Sequence, residues 1–153
     1  MVIELTHHEP QFAVAGFGHV VAFVWDTTPT IALVRAGAAA LDRAIAQRER
    51  FAFVSVIGRA SSMPSAAVVD AMITETRRVQ ARVDTLAVVI ESTGFAATAV
   101  RSALTAMTIA SRVPFPVSWF SHCDEADLFL RERCPSHPRD HSLAAVVSAL
   151  RSR

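Results

Sequence analysis

The sequence contains no lysine, no asparagine and no tyrosine, and its fifteen basic residues are all arginine. Without lysine it cannot form a Schiff base, build a Walker-type phosphate loop or use a serine–lysine dyad. The three missing types use AT-rich codons, so a GC-rich genome accounts for the bias without any demand for guanidinium chemistry. Two cysteines, Cys123 and Cys134, are too few for a disulfide framework. Five glycines and seven prolines exclude collagen-like and linker-like chains. No apolar run approaches the ~18 residues that span a bilayer. The longest candidate, Val20-Val21-Ala22-Phe23-Val24-Trp25, stops at Asp26. The N-terminus lacks a basic stretch and meets Glu4 too early for a signal peptide. The chain reads as cytoplasmic, with no transmembrane segment. Fifteen basic residues against fourteen acidic ones leave +1, so charge gives no argument for nucleic acid as a partner.

What is present fits one compact unit. The 153 residues, 52% of them hydrophobic, suffice for a core without a metal or disulfide staple. Apolar runs alternate with helical periods. Gly18–Trp25 is β-branched and aromatic, and is closed by Asp26-Thr27-Thr28-Pro29. Thr28 suits an N-cap with Pro29 at the first helical position. Ile31, Val34, Ala38, Leu41 and Ile45 then recur at helical spacing. Phe51–Ile57 is a second strand, followed by a helix through Val68, Val69, Met72, Ile73, Thr76, Val79 and Val83. Leu86–Ile90 precedes a helix carrying Ala96, Val100, Ala103, Met107 and Ala110. Val117–Phe120 is a fourth run, and Asp124–Arg133 a short helix with Ala126, Phe129 and Leu130 inward. An extra strand near Val2–Leu5 or Gln11–Phe17 pairs antiparallel with the first run, and Pro10 and Gly16 make it an edge piece.

This pattern predicts an α/β domain with a mainly parallel sheet of four to five strands flanked by helices. It occupies residues 1–133 and is followed by a tail at 134–153. The tail holds a proline-containing linker, Cys134–Asp140, then a helix with Leu143, Val146, Val147 and Leu150 on one face. So short a helix needs something to pack on, either its own domain or a second copy in a homodimer.

Four turns lie at the carboxyl ends of the strands, where open α/β sheets collect ligands. They carry Asp26, Arg59, Ser61, Ser62, Glu91, Ser92, Thr93, Gly94, His122 and Cys123. Serine, threonine and aspartate are also preferred N-caps at these places. Gly94 beside a helix start lets backbone N–H groups approach an anion with help from Arg59, while Glu91 opposes it. Cys134-x2-His137-x3-His141, with Cys123 or His122 upstream, has zinc-like ligand types. His137 is followed by Pro138, so the two histidines need not share a helical face, and polar linker histidines are more often solvated than bound to metal, so no metal or other cofactor is expected. Gly-x-Ser-x-Gly is absent, and no catalytic residue is assigned.

The element order, with Ala60-Ser61-Ser62-Met63 opening the second helix, resembles the STAS domain of SpoIIAA-like anti-sigma factor antagonists, a topology related to the CRAL-TRIO lipid-binding fold. There a partner kinase phosphorylates a serine in an Asp-Ser-Ser-Gly turn. Here the paired serines stand while Ala60 and Met63 replace the aspartate and glycine. The resemblance implies a non-enzymatic regulatory or protein-interaction module. Its partner would be a kinase or an anti-sigma-like regulator, and Ser61 or Ser62 the phosphorylation site. Two alternatives stand beside it: a small-molecule or lipid-binding protein of related topology, and an enzyme using the converging turns. Alanine-rich helices at Arg35–Ala46 and Ala96–Ala110 should pack closely, which opposes a large cavity.

Overall fold

The computed structural model describes residues 2–134 and 136–153. Six strands form one mixed sheet: β1 (Glu4–Glu9), β2 (Phe12–Phe17), β3 (Val20–Trp25), β4 (Phe51–Ile57), β5 (Val83–Ile90) and β6 (Val117–Phe120). Five α-helices flank it: α1 (Ile31–Ile45), α2 (Ala66–Val79), α3 (Gly94–Ser111), α4 (Cys123–Arg133) and α5 (Leu143–Arg151). The strands lie in chain order across the sheet, with β1, β2 and β3 antiparallel and β3 to β6 parallel.

The α/β class and the parallel core agree with the sequence, whereas the strand count does not. Six strands replace the expected four to five because each of the two candidate N-terminal segments overlaps a strand: β1 starts at Glu4, inside Val2–Leu5, and β2 fills all of Gln11–Phe17 but its first residue. Pro10 and Gln11 turn the chain between them. Gly16 sits inside β2, opposite Val21, and does not break it. Thr28 is not the α1 cap. Thr30 is, its Oγ1 accepting from the Leu33 N–H at 3.2 Å. Val83 opens β5 instead of ending α2, because a 3-10 turn at Gln80–Arg82 intervenes. Arg82 drives that turn by donating to the Ile45 carbonyl at 2.7 Å and the Glu49 carbonyl at 3.1 Å, so it closes the end of α1.

Strand periodicity gives the two sheet faces different side chains. One face carries a row of small residues in register across neighbouring strands: Ala15, Ala22, Val54, Ala87 and Ser118. Small residues let helices approach closely, and α4 and α5 seal this face with Ala126, Leu130, Leu143, Val146, Val147 and Leu150. The other face carries a larger row, Val14, Phe23, Ser55, Val88 and Trp119, and is roofed by α1 to α3.

The tail therefore belongs to the core. Leu143, Val146, Val147 and Leu150 are at most 3% exposed against their own sheet, so of the two packings the sequence leaves open for this stripe, the structure has the one on its own domain. The expected boundary at residue 134 crosses a continuous core. His137 is not a solvated linker histidine either. It is buried, and its Nε2–H donates to Asp127 Oδ1 at 2.9 Å. The same Oδ1 accepts the Leu143 N–H at 3.0 Å, and Arg131 reaches Oδ2 at 2.7 Å. Asp127 thus starts α5 and fixes the linker together. Pro135, expected within the linker break, lies outside the described residues.

Gly18 locks the linker from the opposite side. Its φ is +56°, and a Cβ there would fall 2.7 Å from Pro138 Cγ. Gly18→Ala should destabilise by about 1–3 kcal/mol through left-handed strain and this clash. Calorimetry should record a loss of roughly 2–10 °C in Tm. Gly94, with φ +68° and nothing within 4 Å of its would-be Cβ, gives the strain without the clash, so Gly94→Ala should cost less. Equal losses would remove the linker contact from the explanation.

Candidate functional site

Two hollows emerge from this architecture. The first lies under α2 and α3 on the large-residue face. Within the row Phe23, Ser55, Val88, Trp119, the serine leaves a gap between big neighbours. Phe53, Leu86 and Ile57 complete the floor, and Val69, Met72, Leu104 and Met107 form the roof. The space measures about 120 Å³. That is well above the ~10–15 Å³ needed by one water. Its walls are mostly apolar, so water entering it would find few partners. Phe53 and Ser55 belong to a central strand yet stay half-buried, because the helices above do not cover them.

The roof is loose for a reason visible in its side chains. Only Val68 and Val79 of α2, and only Val100 and Ser111 of α3, are buried. The close packing expected of the alanine-rich helices holds for α1, where a Cβ on Gly37 would lie 2.9 Å from Phe23. It fails for α3, whose alanines at 96, 99, 106 and 110 are exposed.

Ser61 and Ser62 stand at the margin of this cavity. Ser61 is buried and donates to the Thr27 carbonyl at 3.1 Å. Ser62 is exposed, its hydroxyl 2.6 Å from Thr28 Oγ1, which also accepts the Ser62 N–H at 2.9 Å. Thr28 thus holds the Ser61–Pro64 segment, which explains why it does not cap α1. Neither serine caps α2; the N-cap is Ser65.

The second hollow is a wide cleft of about 1170 Å³ at the carboxyl edge. After β5 the chain turns onto the large-residue face, and after β6 onto the small-residue face. A crevice opens where the direction reverses. The expected turns meet there: Arg59, Glu91, Ser92, Thr93, Gly94, His122 and Cys123 all line the cleft. Asp26 does not. It binds Arg151 at 2.6 and 2.8 Å, and Arg151 also reaches Glu91 at 2.9 and 3.1 Å. Gly58 makes room for this contact, since a Cβ there would lie 2.0 Å from Asp26 Oδ1. Asp26 and Glu91 are thereby occupied in joining strand ends to α5.

The cleft offers little reactive chemistry. Burial, reinforced by Glu91, pushes the Cys123 thiol up to about 11, so it stays protonated at neutral pH. Cys134 is buried and shifted upward for the same first reason. Among the described residues no three His, Cys, Asp or Glu side chains are grouped to hold a metal ion. None of the helices described is long and apolar enough to cross a membrane.

Sequence reasoning missed the cavity floor and Arg151. Ser55 was the one usable signal, a polar residue interrupting the apolar run Phe51–Ile57. No family model, no curated protein and no solved structure matches the chain.

Proposed function

We propose that the protein is a non-enzymatic, STAS-like binding module that holds a small apolar ligand between its sheet and α2/α3. One observation carries this reading: the middle of a sheet face, at Phe53 and Ser55, opens into an apolar hollow under loosely seated helices. Ligand sites are typically concave, mostly apolar and sparsely polar. The carboxyl-edge cleft is larger but more polar, and its Arg151 is already neutralised by Asp26 and Glu91. Serial β–α order and the paired serines support the STAS-like, regulatory character.

Both tryptophans, Trp25 and Trp119, line the cavity and report on it. Toluene, as an uncharged apolar probe, should change their emission. At tenfold above Kd it should raise Tm by roughly 3–6 °C, since a native-state ligand adds about 1.4 kcal/mol there. Ser55→Leu fills the floor and should abolish both effects without lowering the melting point. An emission change that survives Ser55→Leu would place toluene elsewhere and sink the reading.

A second reading is favoured by the exposure of Ser62: phosphorylation by a partner kinase. A phosphate there would disrupt the Thr28 contact and release the cavity margin, with Arg59 available in the preceding turn. Phosphopeptide mapping of protein isolated from its own cells should then find Ser62 modified and Ser61, which is buried, unmodified. A modified Ser61 beside an unmodified Ser62 would contradict the reading.

A further inference from the structure

We infer that the cavity ligand is an uncharged molecule with a single hydrogen-bonding group, which it presents to Ser55. The inference rests on the cavity being a binding site. Glu75 is the only charged lining residue among those described, and it is paired with Arg78 at 2.7 Å. Among the described residues no arginine or histidine lines the space. A carboxylate or phosphate would lose its hydration there without meeting a cation, and would face Glu75 as well.

The hydroxyls around the cavity are nearly all engaged. Ser61 donates to the Thr27 carbonyl, and Ser62 is bonded to Thr28. Thr76 and Thr108 donate back to the Met72 and Leu104 carbonyls of their own helices. Among the described residues the Ser55 hydroxyl has no protein partner, and it lies on the floor between Phe23 and Val88. The hydroxyl is half-buried and open to the cavity, so an occupant that displaces water from it must replace that hydrogen bond. The occupant therefore has an apolar body sized to the gap, no net charge, and one alcohol, carbonyl or ether oxygen.

Tryptophan-emission titrations with 1-hexanol, hexanoate at pH 8, and toluene test this on the intact chain. The wild-type protein should bind 1-hexanol at least tenfold more tightly than hexanoate. Ser55→Ala keeps the space and removes the hydroxyl, so 1-hexanol should weaken roughly three- to tenfold with toluene unchanged. Hexanoate binding within threefold of 1-hexanol overturns the inference and needs no variant. So does unchanged 1-hexanol binding by a Ser55→Ala protein that melts normally. In both cases toluene binding would leave the cavity reading standing. If none of the three probes binds the wild type, the cavity reading fails and takes this inference with it.

Discussion

Asp127→Ala should lower the melting temperature by about 6–20 °C at neutral pH. Asp127 is 6% exposed and accepts from His137, Arg131 and the Leu143 N–H. Its removal leaves the buried His137 ring and the first N–H of α5 without a partner. Breaking a buried pair from one side costs about 3–5 kcal/mol. A chain of this length loses roughly 2–4 °C per kcal/mol. The carboxyl also has a pH signature. Burial works to raise its pKa, but the bonds from His137, Arg131 and Leu143 outweigh burial and hold it below the ordinary value. A depressed folded-state pKa means the contribution is complete above the unfolded value of about 4. It is lost as pH falls through the lower folded value. The gap between wild type and Asp127→Ala should therefore narrow in acid, which calorimetry at pH 7 and pH 3 can follow. A gap that widens in acid would show that the carboxylate is not the stabilising form.

Val146→Asp should be at least as damaging, with a fall beyond 10 °C or loss of folded protein. The valine is fully buried on the inner face of α5, so the variant forfeits about 1.5–3 kcal/mol of burial and forces a carboxylate against the sheet. Total stability of such domains is only about 5–15 kcal/mol. Ala145→Asp lies on the exposed side of the same first turn, where a negative charge suits the helix dipole, and should be nearly neutral. Light scattering beside the melts settles the role of the helix. An unchanged mass with a large loss for Val146→Asp alone identifies α5 as core. Similar small losses for both variants would detach α5 from the domain.

These two sites mark where the sequence could and could not be read. The alternation of strand and helix was legible because β4, apart from Ser55, and β5 from Leu86 onward are apolar runs, as expected of strands covered on both faces. The extent of β1 was not, since beyond Leu5 its residues are exposed or half-buried on both faces and leave no apolar stripe. The apolar stripe of α5 was plain, but its destination depended on a sheet face assembled from five other segments. His137 looked solvated because its partner lies ten residues back on α4. The carboxyl-edge turns were located by parallel topology alone. The cavity was hidden for another reason: Val69, Met72, Leu104 and Met107 have ordinary core spacing, which tells which way a helix faces but not how far it stands from the sheet. Val79 and Val83 continued the helical period across a break that Arg82 imposes through contacts with α1.

The placement of α4 and α5 has a consequence for folding. Both follow the last strand in the chain, yet they alone cover the alanine-rich face of a sheet whose other side is roofed by earlier helices. About thirty residues separate the end of β6 from the end of α5. Until both helices are docked, a formed sheet would present Ala22, Val54, Val56, Ala87 and Val89 to its surroundings. Exposed apolar surface of this kind makes a folding intermediate prone to association, so a chain truncated after residue 122 should be captured by a holdase far more than the full chain.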